Sequence, residues 1–256
     1  MKKRKGTPAN EIQDLQFFGE FGGVNPSITD SSTFTYLAGK TMADVFEGTR
    51  EGCYLYSRHT NPSNSYLGQA IAQMEYTKGA VLSSSGMGAI TSTLLQLCCS
   101  GDEIISSRTI YGGTYAFMKN YLPKFGINTT FVDSTKLEEI ESSINKNTKV
   151  IYCETMSNPL LEVSDIYSIS QIAKKNNIKL IVDNTFTPMI FSPAKMGADI
   201  VIHSLTKFIN GSSDTVGGIV CSDEEFIESM IDVNTGSAML LGPVMDTMRA
   251  ASILKN

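Results

Sequence analysis

The sequence predicts an α/β fold, a mostly parallel sheet covered by helices on both faces. Three observations predict it. Short apolar strand candidates recur along the chain, helical stretches with start signals separate several of them, and runs such as "KLIVD" (179–183) are apolar on both faces. A strand buried on both sides reads that way only when helices cover each face of the sheet. At 256 residues, 41% hydrophobic and 18% charged, the chain is long enough for one large α/β domain or two smaller ones.

Residues 1–60 show little periodicity and spread Gly, Pro and Ser through "FGEFGGVNPSITDSSTF", so they are expected to form an irregular arm over another surface. The basic start "MKKRKGTPAN" lacks the apolar segment of a signal peptide. From about residue 65 a helical stripe appears, with Leu67, Ala70, Ile71 and Met74 at i, i+3, i+4 and i+7. "AVLSSSG" then reads as a strand entering a turn. Further strands are expected at "EIIS" (103–106), "NTTFV" (128–132), "KVIYCE" (149–154), "KLIVD", "DIVIH" (199–203) and "GIVC" (218–221). Thr135 with Glu138, and Ser222 with Glu225, have the spacing of capping boxes at helix starts. The α/β domain is expected over residues 61–242, and residues 243–256 as the start of a helix that leads out of it.

The net charge of -5 is dispersed, so neither a basic groove for nucleic acid nor a solvated acidic tail is present. No run of the sequence approaches membrane-spanning length. The five cysteines (Cys53, Cys98, Cys99, Cys153, Cys221) are scattered without a CxxC pair, which points to reduced structural thiols in the cytoplasm rather than to a metal or disulfide framework.

Ligands of open parallel sheets sit beyond the carboxyl ends of the strands. Several polar residues fall there: Asp183 closes "KLIVD", Ser204, Thr206 and Lys207 follow "DIVIH", and "SSSGMG" follows "AVL". "GMGAIT" (86–91) lacks the third glycine of a dinucleotide fingerprint, and no P-loop is present, which leaves a nicotinamide oxidoreductase as the outside alternative. A glycine turn opening a helix can still hold one phosphate through backbone N–H groups and the helix dipole. A phosphate beside a reactive lysine and a fixed carboxylate is what pyridoxal phosphate needs. Candidates for each part are Lys207 as Schiff-base lysine, Asp183 for the pyridine nitrogen, Tyr111 to stack on the ring, and Gly86, Met87, Ser204 and Thr206 for the phosphate. His203, ending an apolar strand, reads as a near-core residue, and His59 as lining the cofactor mouth.

Taken together, "YSRHTNPSN", "SSGMGAI", "SSRTIYGGTYAF", "ETMSNP", "IVDNTF" and "HSLTKFINGSSD" resemble the Cys/Met-metabolism family of pyridoxal-phosphate enzymes. The resemblance runs in order from residue 50 to residue 221 and implies the type I fold of pyridoxal-phosphate transferases. It implies that Lys207 carries the cofactor and shuttles protons, and that Tyr111 helps activate substrate or protonate the leaving group. It also implies that Asn158 contacts the ring hydroxyl, and that Tyr56 and Arg58 reach the phosphate of a neighbouring subunit. Arg58 suits that task because its planar fork binds phosphate in a bidentate manner. The implied assembly is a homodimer at least, and a homotetramer as the fuller form.

The family includes methionine γ-lyases, cystathionine lyases, cystathionine γ-synthases and O-acetylhomoserine sulfhydrylases. The front of this chain is similar to the methionine γ-lyase type, which implies elimination of methanethiol from L-methionine with release of 2-oxobutanoate and ammonia. Gly113 departs from that type, because many bacterial members carry cysteine there, and glycine is common in the synthases and cystathionine lyases. γ-Replacement therefore stands as the alternative, along with a cofactor-binding fragment of little activity. No residue matches the substrate-carboxylate arginine of the family's C-terminal domain, so weak turnover is the expectation for these 256 residues.

Overall fold

The computed structural model describes residues 22–47 and 52–256. The basic start of the chain and the first part of the expected arm lie outside the described residues. Among the described residues seven strands form one sheet: β1 (Gly79–Ser83), β2 (Glu103–Ser107), β3 (Asn128–Val132), β4 (Thr148–Glu154), β5 (Lys179–Asp183), β6 (Ile200–His203) and β7 (Gly218–Ser222). Their order is β1-β7-β6-β5-β4-β2-β3. From β6 through β3 every pairing is parallel, while β7 runs antiparallel to both of its neighbours. The reversal has a local cause. Residues 204–217 connect β6 to β7 without the crossover helix that a parallel return requires, so the chain doubles back and the loop stays at the carboxyl end of β6.

Alternation within a strand shows how both faces are buried. Leu180 and Val182 of β5 pack in a cluster with Leu67, Ile71 and Met74 of α2 (Pro62–Glu75) and with Ile166, Ile169 and Ile172 of α6 (Ile166–Lys175). Ile181, between them, faces Ala89, Ile90 and Leu94 of α3 (Gly86–Leu97) on the other side. At about 25 cal/mol per Å² of apolar area, these fully buried Leu, Ile and Val side chains stabilise the sheet by roughly 1.5–3 kcal/mol each.

The remaining helices are α1 (Gly39–Phe46), α4 (Gly112–Ala116), α5 (Leu137–Ser143), α7 (Glu224–Ile231), α8 (Ser237–Leu241) and α9 (Thr247–Lys255). The stripe expected from residue 65 begins at Pro62, where Asn61 caps the helix by accepting the Ser63 N–H at 2.9 Å. Both expected capping boxes are corrected. Asp133, not Thr135, organises the start of α5: it accepts the Thr135 N–H (3.1 Å) and hydroxyl (2.6 Å) and donates its own N–H to Glu139 (2.9 Å). Asp223 caps α7 by accepting the Phe226 N–H at 2.8 Å, while Ser222 stays in β7 opposite Gly79. In each case an adjacent carboxylate outcompetes a hydroxyl as acceptor.

In the described part of the arm, Thr33 bridges Tyr56, and α1 has no buried residue. Among the described residues no helix is long and apolar enough to cross a membrane.

Candidate active site

A cavity of about 780 Å³ opens beyond the carboxyl ends of β4, β5 and β6, against the N-terminus of α3. Lys207, Asp183, Tyr111, Asn158, Gly86, Met87, Ser204 and Thr206 all line it. Tyr56 and Arg58 do not. Arg58 lies beside a separate, smaller cleft, donating to the Met239 carbonyl at 2.6 Å with its guanidinium 5.6 Å from the Tyr56 ring centre. His59 lines that same cleft beside Arg58 and not the main cavity of its own chain. Burial lowers the proton affinity of His59, so the neutral ring is favoured there.

Asp183 ends β5 with only 8% of its surface exposed. Its Oδ1 accepts the Thr185 N–H at 3.0 Å, and its Oδ2 accepts the Tyr152 hydroxyl from below at 3.4 Å. Burial raises its proton affinity and the Thr185 hydrogen bonds oppose that rise. Tyr152 is fully buried, and burial together with Asp183 pushes its phenol well above the usual range, so it remains a donor. The Thr185 hydroxyl in turn accepts the Ser204 N–H at 2.8 Å, which ties the end of β5 to the start of the lysine loop. That loop turns tightly: the Lys207 N–H donates to Ser204 (3.2 Å), and Thr206 Oγ1 accepts the Gly217 N–H (3.0 Å). Lys207 is thereby held at the cavity, and its ammonium has no ion-pair partner among the described residues.

The opposite requirement is met at α3. Gly86 and Met87 are its first two residues, so their N–H groups lack intrahelical acceptors, and the helix dipole favours an anion there. Gly86 has to be glycine: a Cβ would lie 2.8 Å from Ser204 Cβ and 2.9 Å from its Oγ, pushing the serine away from the helix end.

Sequence reasoning missed Glu154 and Thr185. Glu154 ends β4 directly opposite Asp183 and is 6% exposed, on the cavity wall. Burial and the Asp183 charge push its carboxyl up to about 8, against two backbone hydrogen bonds. The signal was present, since an acidic residue closing an apolar strand is the same cue that singled out Asp183. His203 is fully buried, as expected, with Nε2 2.7 Å from Glu75 Oε1.

The cavity suits pyridoxal phosphate on its own chemistry. It offers a helix N-terminus for the phosphate, a primary amine for the aldehyde, and a buried carboxylate whose raised proton affinity a cationic ring nitrogen would relieve.

Comparison with known proteins agrees. The family described as Cys/Met metabolism PLP-dependent enzyme matches residues 11–255. A methionine γ-lyase of Arabidopsis thaliana is 44% identical over 93% of this chain and 56% of its own length. A cystathionine γ-lyase of Bacillus subtilis is 44% identical over 74% of this chain and 50% of its own length. Among solved structures, a Campylobacter jejuni chain described as an O-acetylhomoserine (thiol)-lyase, with pyridoxyl-lysine monophosphate, superposes at a TM-score of 0.90. It is 26% identical, over 98% of this chain and 70% of that one. The chain thus spans little more than half the length of the curated relatives it matches.

Proposed function

The chain belongs to the Cys/Met metabolism family of pyridoxal-phosphate-dependent enzymes, and from that premise we propose that the protein is a methionine γ-lyase, releasing methanethiol, 2-oxobutanoate and ammonia from L-methionine. The observation that carries the chemistry is the convergence of Lys207, Asp183 and the N-terminus of α3 on one cavity. The substrate assignment is supported by the identity to the Arabidopsis enzyme along 93% of the chain.

When bound, the cofactor supplies an electron sink for charge developing at the substrate Cα. The chain's own residues do the rest. Lys207 would hold the cofactor through its aldehyde and would move the proton at the substrate Cα. Asp183 holds the ring nitrogen, with Tyr152 and Thr185 fixing its carboxylate. Gly86, Met87, Ser204 and Thr206 hold the phosphate. Tyr111, half exposed over the cavity, covers the ring and offers its hydroxyl to the leaving sulfur. Asn158 reaches the ring hydroxyl.

Tyr56 and Arg58 would complete the phosphate site of a second copy, which agrees with their position outside their own cavity. The apolar side chains that the arm leaves exposed, Val24, Leu37 and Phe46, would be covered by that copy in a homodimer or homotetramer. The proposed compartment is the cytoplasm.

A γ-replacement reading is favoured by one observation: Gly113 lies against Tyr111, leaving no Cβ beside the residue that would meet the leaving group. Two measurements test the proposal. The purified protein loaded with pyridoxal phosphate should show a visible absorbance band that borohydride removes, and Lys207→Ala should lack it. An unchanged spectrum in Lys207→Ala would reject the lysine. Parallel assays with L-methionine, and with O-acetylhomoserine plus sulfide, decide the substrate, and turnover of the second pair alone would reject the methionine reading.

A further inference from the structure

Glu154 spans two loops that approach the cavity from different parts of the chain. Its Oε1 accepts the backbone N–H of Tyr111 at 2.7 Å, at the entrance to α4. Its Oε2 accepts the backbone N–H of Asn158 at 3.2 Å, in the turn after β4. Neither N–H is met by a helix or strand partner, because Tyr111 precedes its helix and Asn158 follows its strand. The carboxylate itself is fixed at the end of a central strand, in register with Asp183.

We propose that Glu154 is a positioning residue, one carboxylate clamping the backbones of Tyr111 and Asn158 so that the aromatic cover and the amide are set against the cofactor ring together. The inference rests on the ring contacts proposed above for Tyr111 and Asn158. The geometry makes a specific demand. Both oxygens must accept, which the carboxyl does most fully once a cation bound in the cavity ionises it, and the side chain must be long enough to reach both loops. Glutamine keeps the length but replaces one acceptor by an amide donor that faces an N–H. Aspartate keeps the charge but is one methylene short.

The test therefore compares Glu154→Gln and Glu154→Asp with the parent, following pyridoxal phosphate affinity and the induced visible circular dichroism of the bound cofactor, which reports how the ring is held. Both variants are expected to bind about tenfold more weakly, the effect of one lost charge-assisted hydrogen bond, with a reduced induced signal. Unfolding temperatures of the cofactor-free proteins serve as the control for a merely structural loss. In a Tyr111→Ala background the Glu154→Gln loss should shrink to about threefold or less, since one of the two groups being positioned has gone. Parent-like binding by Glu154→Asp beside weak binding by Glu154→Gln would assign the effect to charge and overturn the clamp. Unchanged binding in both, or an undiminished loss without the Tyr111 ring, would overturn it as well. Amide hydrogen exchange gives a test without substitution. Tyr111 and Asn158 must both be protected in the parent, and fast exchange at either overturns the proposal. A parent that acquires no visible band would reject the cofactor reading itself, a result distinct from all of these.

Discussion

Glu75, which is bonded to Asn184, and the pair Asp183 and Glu154, at the ends of β5 and β4, are buried carboxylates treated in opposite ways. Glu75, at the end of α2, is 1% exposed; its Oε1 meets His203 Nε2 at 2.7 Å and accepts from Asn184 Nδ2 at 2.8 Å. Asn184 also donates to the Phe191 carbonyl and accepts the Thr155 and Thr187 hydroxyls. The chain supplies those partners to Glu75 Oε1, while Glu75 Oε2 and His203 Nδ1 are buried without one, and the network joins α2 to the ends of β4, β5 and β6. Asp183 and Glu154, one step nearer the cavity, receive N–H and O–H donors but form no ion pair among the described residues. Burial raises the proton affinity of both, and the Asp183 charge adds to the rise at Glu154. The contrast separates structure from function: a polar group buried with its partners closes the fold, whereas carboxylates buried without a counter-charge leave a place for one to bind.

The strongest way to break this comparison is Asn184→Ala. It removes one of the two partners of Glu75 Oε1 and leaves the Phe191 carbonyl and two hydroxyls without their Asn184 bonds, and should lower the stability of the cofactor-free protein by about 4 kcal/mol in denaturant titrations. A loss under about 1 kcal/mol would mean that the Glu75 cluster is not the structural half of the pair. Asp183→Asn should do the reverse. Cofactor-free stability should stay within about 1 kcal/mol of the parent, because a carboxyl already reluctant to ionise loses little. Pyridoxal phosphate affinity should fall about a hundredfold as the charge-assisted bond to the ring nitrogen disappears. Equal affinity in the variant would remove Asp183 from the site.

A pH titration sharpens the same distinction. The Glu154 carboxyl keeps its proton to about 8 in the folded chain, while an unfolded glutamate releases it near 4.5, so the folded state binds more protons across that window. Its stabilising contribution is therefore full below about 4.5 and is lost as pH rises through 8. His59 works the other way, its lowered proton affinity costing stability as pH falls below 6.5. The difference in unfolding free energy between the parent and Glu154→Gln cancels the His59 trend and should decline from pH 5 to 8. Saturating pyridoxal phosphate should flatten that decline by supplying the missing cation. A difference that rises with pH, or one that the cofactor leaves unchanged, would contradict this.

How much of this was legible depended on how local each cause was. "KLIVD" coincides with β5 because a strand buried on its faces writes its burial into its own five residues, and "NTTFV" coincides with β3, an edge strand in which only Val132 is buried, through its β-branched and aromatic residues. Lys207 and Asp183 were legible because strand ends of an open sheet face the ligand whatever the rest of the chain does. Glu154 ends its strand in the same way, but its two oxygens meet Tyr111, 43 residues away, and Asn158, and only the folded register brings those loops together. The capping boxes failed for a narrower reason: a carboxylate stood within two residues of each hydroxyl and took the N–H donors instead, while Ser222 stayed paired in β7. Tyr56 and Arg58 were legible only as a resemblance, since the site they are proposed to serve lies on another copy of the chain.

The smallest expected effect concerns Gly113. A Cβ there would sit 2.5 Å from Tyr111 Cε1 and 3.2 Å from Met87 Sδ, so any side chain obliges the Tyr111 ring to swing away. Tyr111 is 50% exposed and can move at little cost, and the Gly→Ala gain inside α4 of roughly 0.5–1 kcal/mol offsets what is lost. Gly113→Ala should therefore leave stability within about 1 kcal/mol of the parent while shifting the near-ultraviolet circular dichroism of the ring. If Tyr111 delivers the leaving-group proton, the same variant should change the ratio of methionine elimination to O-acetylhomoserine replacement by about three- to tenfold, since a methylene-sized change in a pocket is worth about 1 kcal/mol. A shifted ring with an unchanged ratio would place the choice between elimination and replacement away from Tyr111; an unshifted ring would show that the glycine is not what lets Tyr111 lie back over α4.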